Sequence, residues 1–412
     1  MTTVISRIRH GSADAKPLLD PLGETPWWDA LPEDFSKQPE PFDLVGKDKA
    51  WVAASAASDV AIRTIGASLV GGLALPIGYH RSSLLQSLDE TEEFLAMART
   101  GDPSHFFAEP PKGVRVRTKR SSMKVRFRPE DGYADSVRFD SPYIPVNPRL
   151  HKSYLRHEAN RVAHARYWRH ARGPRPTLIA VHGFSADLYL INEWFFALPW
   201  FYRMGFDVML LTLPFHGVRQ TRFSPFSGHG YFAGGPSRIN EAVGQSVMDT
   251  RIYIDWLLNT VGAPAVGITG VSLGGFTSSI LAATEHRLSF AIPNVPVVTF
   301  ADLILEWEPI GTAMRAMLKR QKKTVTDARE MIAVTCPLSY PSKLPRERLF
   351  IVGGVGDRLA PPKHSRVLWE HWGKPPLYWF PGSHLAHLDR GAYLIEVARF
   401  LRRIGFLQED DA

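Results

Sequence analysis

The chain has 412 residues, 44% of them hydrophobic and 22% charged, with a formal net charge of +8. That is the composition of an ordinary soluble globular protein with enough apolar residues for a sizeable core, and the positive surplus favours an anionic surface or substrate without naming one. The single cysteine, Cys336, excludes an intrachain disulfide and any multi-cysteine metal site.

The amino-terminal end carries Arg7, Arg9 and His10 but lacks the apolar core and small-residue cleavage site of a secretory signal, so a cytoplasmic protein is expected. Residues 1 to about 45 are rich in Pro, acidic groups and Trp. They predict an irregular arm wrapped over the body, because Trp27 and Trp28 are otherwise left in water. Two or three helices are predicted between about 47 and 98. Inside that span the apolar stretch Thr64 to Tyr79 is broken by Gly66, Gly71, Gly72, Pro76 and Gly78. It is short for a membrane-spanning helix, so a small-residue helix packed on the body is expected, with membrane insertion or surface contact as the alternative.

Near Val114 the period changes to two. Val114, Val116, Val125 and Phe127 alternate with Lys and Arg, predicting antiparallel strands with a turn at Glu130-Asp131-Gly132. Lys112 to Arg128 holds eight Lys or Arg and no acid. A solvated strand face is expected there; an acidic lipid head or polymer is the alternative, and no nucleic-acid motif accompanies the run. His151, His157, His164 and His170 lie in an Arg-rich segment predicted to be helical up to Gly173-Pro174. No His-x-x-x-His pair occurs among them, so they predict a polar helix face rather than a metal site.

From Thr177 onward, apolar runs alternate with helical patterns. Strands are predicted at Thr177–Val181, Phe206–Leu213, Ala265–Thr269, Phe290–Val298, Arg348–Val352 and Leu377–Phe380. Such alternation implies a mostly parallel sheet with right-handed crossovers. The segment Asn192 to Tyr202, crowded with Trp194, Phe195, Phe196, Trp200, Phe201 and Tyr202, reads as core packing, with the floor of an acyl pocket as a second use. Between about 298 and 346 the alternation stops. Trp307, Met314, Met317 and the basic run Lys319 to Lys323 sit there in a largely helical pattern, predicting a cap over the carboxyl ends of the strands. Cys336, in Val334-Thr335-Cys336-Pro337, lacks the setting of a nucleophile and reads as a small buried hydrophobe.

The chemistry centres on Gly270-Val271-Ser272-Leu273-Gly274, a G-x-S-x-G pattern with a buried strand before it and a small-residue helix after it. Strand, tight turn with Ser at the apex, then helix, is the layout that frees a hydroxyl for attack. A Ser hydroxyl needs a base to take its proton, and the base needs an orienting acid. Asp357, after the apolar strand and Gly353-Gly354-Val355-Gly356, is the candidate acid. His384, in Gly382-Ser383-His384, is the candidate base, with His387 as its competitor. The oxyanion needs two backbone donors. Leu273 supplies one; Phe184 in His182-Gly183-Phe184-Ser185 is assigned the second, with Ser185 as the alternative.

These motifs, together with Leu213-Pro214-Phe215-His216-Gly217, resemble the α/β-hydrolase superfamily in its serine esterase/lipase branch, over about 175 to 405. The resemblance implies a mostly parallel central sheet flanked by helices, with residues 111–412 as the α/β-hydrolase domain, a cap insertion at about 298–346, and 1–110 as an added arm and helical extension. It implies hydrolysis of carboxylic esters through an acyl-enzyme, with no cofactor and no metal. Acyltransferase, thioesterase or peptidase chemistry with the same triad is the alternative, and a non-catalytic binding protein on the same fold is a third. The expected partners are a small-molecule ester, lipid-like in one version, and an anionic membrane surface touched peripherally; nucleic acid is not among them.

Overall fold

A computed structural model of the chain describes residues 18–19, 24–38, 42, 44, 46–69, 81–121, 126–185, 188–389 and 391–408. Arg7, Arg9, His10, Lys124, Val125 and the part of the apolar stretch beyond Leu69 lie outside the described residues.

Nine strands are present among the described residues: β1 Arg117–Arg120, β2 Gly132–Asp140, β3 Val162–His170, β4 Thr177–Val181, β5 Asp207–Thr212, β6 Val266–Val271, β7 Phe290–Asn294, β8 Ile351–Gly354 and β9 Leu377–Phe380. They form one sheet in the order β1-β2-β3-β5-β4-β6-β7-β8-β9. The first three pair antiparallel, and β3 joins β5 antiparallel. From β5 through β9 every pairing is parallel.

The inner strands are buried along their whole length, which is why they read as unbroken apolar runs. Their period of two deals residues to two cores. Ile179, Val181, Met209 and Ile268 point into one, with the helices Pro236–Trp256 and Leu273–Thr284. Leu178, Ala180, Val208 and Leu210 point into the other, with the helices Leu198–Arg203 and Ala392–Arg403. This is the mostly parallel, helix-flanked sheet that the sequence predicts.

Two elements differ from the reading of the sequence. The alternating residues Val114, Val116 and Phe127 lie outside the strands, and β1 and β2 cover Arg117–Arg120 and Gly132–Asp140 instead. The Arg-rich histidine segment is helical over His151–Leu155 and in a single tighter turn at Glu158–Arg161; from Val162 to His170 it is β3, paired on both sides. The physical reason is hidden charge compensation. Arg166 is fully buried because Glu193 lies 3.7 Å away and the Tyr189 ring sits under its guanidinium at 4.3 Å. Once that charge is matched, Tyr167 and Trp168 drive the segment into the sheet as large β-formers. The histidines serve locally: His170 bonds Asp207 at 2.8 Å and stacks on Tyr202. Among the described residues, no group of three or more His, Cys, Asp or Glu is placed to hold a metal.

Other expectations find their place. Arg117 and Arg120 of β1 are exposed and lie near Asp140 and Asp135 of β2. Trp27 and Trp28 are buried in the first core, and the Trp27 indole N–H donates to Ser339 at 2.8 Å. Cys336 is buried, its thiol directed to the carbonyl of Val298. Phe196, Leu198, Phe201 and Tyr202 are core residues of the second cluster, so this part of the aromatic segment serves packing, while Trp194 is exposed. No helix among the described residues is long and apolar enough to cross a membrane.

Candidate active site

Ser272 stands at the turn between β6 and the helix Leu273–Thr284. Its backbone sits at φ 58°, ψ −112°, a conformation that costs an L-residue of order 1–3 kcal/mol. Neighbours hold it there: its N–H donates to Asn294 at 3.0 Å and its carbonyl accepts from Phe276 at 2.9 Å. Close passage of strand and helix needs glycine, since a β-carbon on Gly274 would stand 1.9 Å from the Val181 carbonyl oxygen. The half-buried serine thus projects from a rigid turn, and the N–H of Leu273, at the first helical position, has no intrahelical acceptor.

The sheet order places a second loop beside it. After β4 the chain turns to β5 on one side, while β6 lies on the other, which opens a crevice at the carboxyl ends of β4 and β6. The loop His182–Ser185 lines that crevice. A β-carbon on Gly183 would lie 3.5 Å from that of Ser272, so Phe184 and Ser185, the two candidates for the second backbone donor, belong to the segment next to the serine. His182 is buried and structural. Its Nε2 accepts from Leu213 N–H at 3.1 Å, which leaves Nδ1–H to donate to the Gly183 carbonyl at 2.8 Å. Ser185, at φ 59°, gives its hydroxyl to the Ser227 carbonyl. The Phe184 ring makes edge contacts with His216, Phe226 and Phe232.

Asp357 and His384 lie in the loops after β8 and β9, on the same edge of the sheet. The structure brings them together: Nδ1 of His384 is 2.6 Å from Oδ2 of Asp357. The other carboxylate oxygen accepts the N–H groups of Leu359 and Ala360, both at 2.8 Å. That clamp fixes the acid, and the acid fixes the imidazole with Nδ1 protonated and Nε2 free to take a proton. Burial raises the Asp357 carboxyl above its ordinary range, although His384 and its hydrogen bond work against this. Burial also pulls His384 down, but the charge of Asp357, its hydrogen bond and the charge of Asp59 outweigh it, so the imidazole is raised.

His387 is placed differently. It stacks on Phe380 at 3.8 Å and its Nδ1 has no hydrogen-bond partner among the described residues. Burial, with the nearby His384, lowers its pKa to about 4, which keeps it neutral. Of the two histidines, only His384 meets an acid.

Reading the sequence missed Asp59. It lies on the helix Gly46–Leu69, fully buried, and its Oδ2 accepts the backbone N–H of His384 at 2.8 Å and that of Arg358 at 3.1 Å. The available signal was faint: Asp59 is the one acid between Trp51 and Leu69.

After β7 come the helices Phe300–Glu306, Ile310–Arg320 and Val325–Glu330. They border an apolar groove lined by Phe300, Ile304, Met314, Met317, Leu318 and Ile332. Phe300 touches Phe276 and Phe232, and Phe232 touches Phe184, so a row of aromatic rings leads from the groove to the loop beside Ser272. Trp307 is not part of that lining; its indole donates to Leu359 in the acid loop at 3.3 Å.

No protein-family model matches the chain. It is 32% identical over 326 residues to the uncharacterized protein Rv2627c of Mycobacterium tuberculosis (strain ATCC 25618 / H37Rv), covering 75% of this chain and 73% of that protein. It is 33% identical over 296 residues to the uncharacterized protein MT2702 of Mycobacterium tuberculosis (strain CDC 1551 / Oshkosh), covering 68% and 66%. Among solved structures, the acetyl xylan esterase from Paenibacillus sp. R4 superposes with a TM-score of 0.53 at 15% identity, over 79% of this chain and 99% of that one. Acetyl xylan esterase 1 from Thermoanaerobacterium sp. JW/SL YS485 gives 0.51 at 14%, over 77% and 94%. At that identity these two likenesses speak for a shared fold.

Proposed function

The chain and its two mycobacterial relatives belong to one family, which has the α/β-hydrolase fold, and on that premise we propose a serine hydrolase that cleaves carboxylic esters through an acyl-enzyme. The observation that carries this reading is the 2.6 Å contact of His384 with Asp357 on the sheet edge that also presents Ser272. Nε2 of His384 takes the Ser272 proton as Oγ attacks the ester carbonyl. The N–H groups of Leu273 and Phe184 receive the charge that builds on the carbonyl oxygen. As the tetrahedral adduct collapses, the imidazolium returns its proton to the leaving alkoxide, and the alcohol departs. Water then enters by the same route: His384 removes its proton, hydroxide adds to the acyl carbon, and Ser272 Oγ leaves reprotonated. Asp357 keeps the imidazole in one tautomer and stabilises its charged form throughout.

In this reading residues 111–412 are the hydrolase unit and 1–110 an extension of it. The helices between Phe300 and Glu330 act as the cap, and the groove along Met314 and Met317 takes the acyl chain of a small, lipid-like ester. The exposed Lys319, Arg320 and Lys322 at the end of one cap helix suit peripheral contact with an anionic surface on the cytoplasmic side. Labelling with a fluorophosphonate, followed by a p-nitrophenyl ester series from acetyl to palmitoyl, tests the proposal. Labelling at Ser272 with turnover of the esters supports it; neither labelling nor turnover rejects it. Labelling with acyl transfer to an added alcohol or thiol, and no net hydrolysis, moves the chain to a transferase.

A further inference from the structure

The helix Gly46–Leu69 presents Trp51, Ile62 and Ile65 to solvent and presses its other face onto the loops that carry Asp357 and His384. Val52 packs against the loop after β8. It is buried with Val355 and Trp379, and a β-carbon on Gly356 would come within 3.0 Å of its Cγ1. Two turns further on, Asp59 is completely buried. One of its oxygens, Oδ2, accepts the N–H of His384 at 2.8 Å and the N–H of Arg358 at 3.1 Å. The other, Oδ1, has no hydrogen-bond partner among the described residues. One turn later Arg63 donates to the carbonyl of Arg358 at 2.9 Å. A carboxylate is costly to take out of water, and half of this one is left bare. Packing alone is served better by an apolar side chain of similar size.

Resting on the triad reading above, we propose that Asp59 is a positioning residue of the reaction, a second carboxylate that ties the acid loop to the base loop and adds negative charge behind the imidazole. It touches no reacting atom. Its action runs through His384 in two ways. One oxygen shared by the N–H of His384 and the N–H next to Asp357 sets the spacing of the two loops from outside the sheet. Its charge also joins that of Asp357 in favouring the imidazolium. Besides the two carboxylates, His387 on the same loop interacts with His384; Arg358 and Arg63 direct their guanidinium donors to the carbonyls of Asp357 and Arg358. His387 is neutral, with its pKa pulled down to about 4, chiefly by burial.

The test compares the parent chain with Asp59→Asn, Asp59→Ala and Ser272→Ala. The readouts are fluorophosphonate labelling rate, kcat, KM and the acid limb of kcat/KM, each normalised to the fraction of folded protein read from circular dichroism. Asn keeps an acceptor for the two N–H groups and loses the charge, so the acid limb should move to lower pH while KM holds. Ala loses the tether as well, and kcat should fall about ten- to a hundredfold, the cost of a small misplacement of a catalytic group. If Ala does not fold, the Asn variant carries the test alone through its acid limb. A parent chain labelled at Ser272 whose Asn variant keeps the parent acid limb overturns the role of Asp59 and leaves the triad standing. A parent chain that is not labelled at Ser272 overturns the triad, and the role of Asp59 with it.

Discussion

Arg329 grips Asp302 fork to fork with both side chains fully out of solvent: Nε donates to Oδ2 at 3.0 Å and Nη2 to Oδ1 at 2.7 Å. The same guanidinium donates to the carbonyls of Leu31 and Pro32 at 2.7 and 2.8 Å, so one side chain joins the helices Phe300–Glu306 and Val325–Glu330 to the segment around Leu31. Removing one partner strands a buried charge. Arg329→Met should destabilise the chain by about 3–5 kcal/mol, read from urea unfolding. Arg329→Met with Asp302→Leu should recover part of that loss. An unfolding midpoint unmoved by the single change speaks against the knot as a stabilising device.

If Ser272, His384 and Asp357 act as the proposed unit, Ser272→Ala should abolish fluorophosphonate labelling and lower ester turnover by about 10⁴-fold or more. The fold should persist, since a β-carbon occupies the same turn. Labelling that survives, or that appears on Ser185, removes Ser272 from the nucleophile role.

The base must be unprotonated to act. His384 is held above the ordinary histidine value of 6.5, because Asp357 and Asp59 outweigh burial. Activity should therefore fall as pH drops through that raised value, giving an acid limb centred above 6.5. His384→Ala should cost about as much as Ser272→Ala. His387→Ala should keep most activity, since His387 stacks on Phe380 and meets no acid. The opposite ranking of the two variants moves the base to His387.

The groove beside Phe300 predicts a substrate preference. Each methylene buried there should gain roughly 0.8 kcal/mol, so three or four added carbons should raise the specificity constant by about two powers of ten over acetyl. Replacing both Met314 and Met317 by Ser should erode that gain and leave acetyl hydrolysis nearly untouched. A steady fall in specificity constant from acetyl upward decides for a small acyl site, with the cap helices used for packing.

The central sheet was readable because its inner strands are covered on both faces and leave unbroken apolar runs. The placement of Ser272, Asp357 and His384 at strand ends was readable from the glycines beside them. What escaped depends on partners distant in sequence. β3 looks like a polar helix until Glu193 is seen to match the charge of Arg166. The aromatic crowd around Trp200 suits either a pocket or a core, and only the side of the sheet it packs on decides. Asp59 meets His384 across 325 residues of sequence, and no local pattern around it points there.

Those long separations have a consequence for how the chain is made. Trp27 waits for Ser339, Leu31 for Arg329, and Asp59 for the backbone of His384. At about 5–20 residues per second, some 300 residues of intervening synthesis last on the order of tens of seconds. Throughout that interval two tryptophans and a helix with an apolar flank have no native surface to cover them. The contact of Asp59 with the backbone of His384 forms only once the segment around His384 has been made.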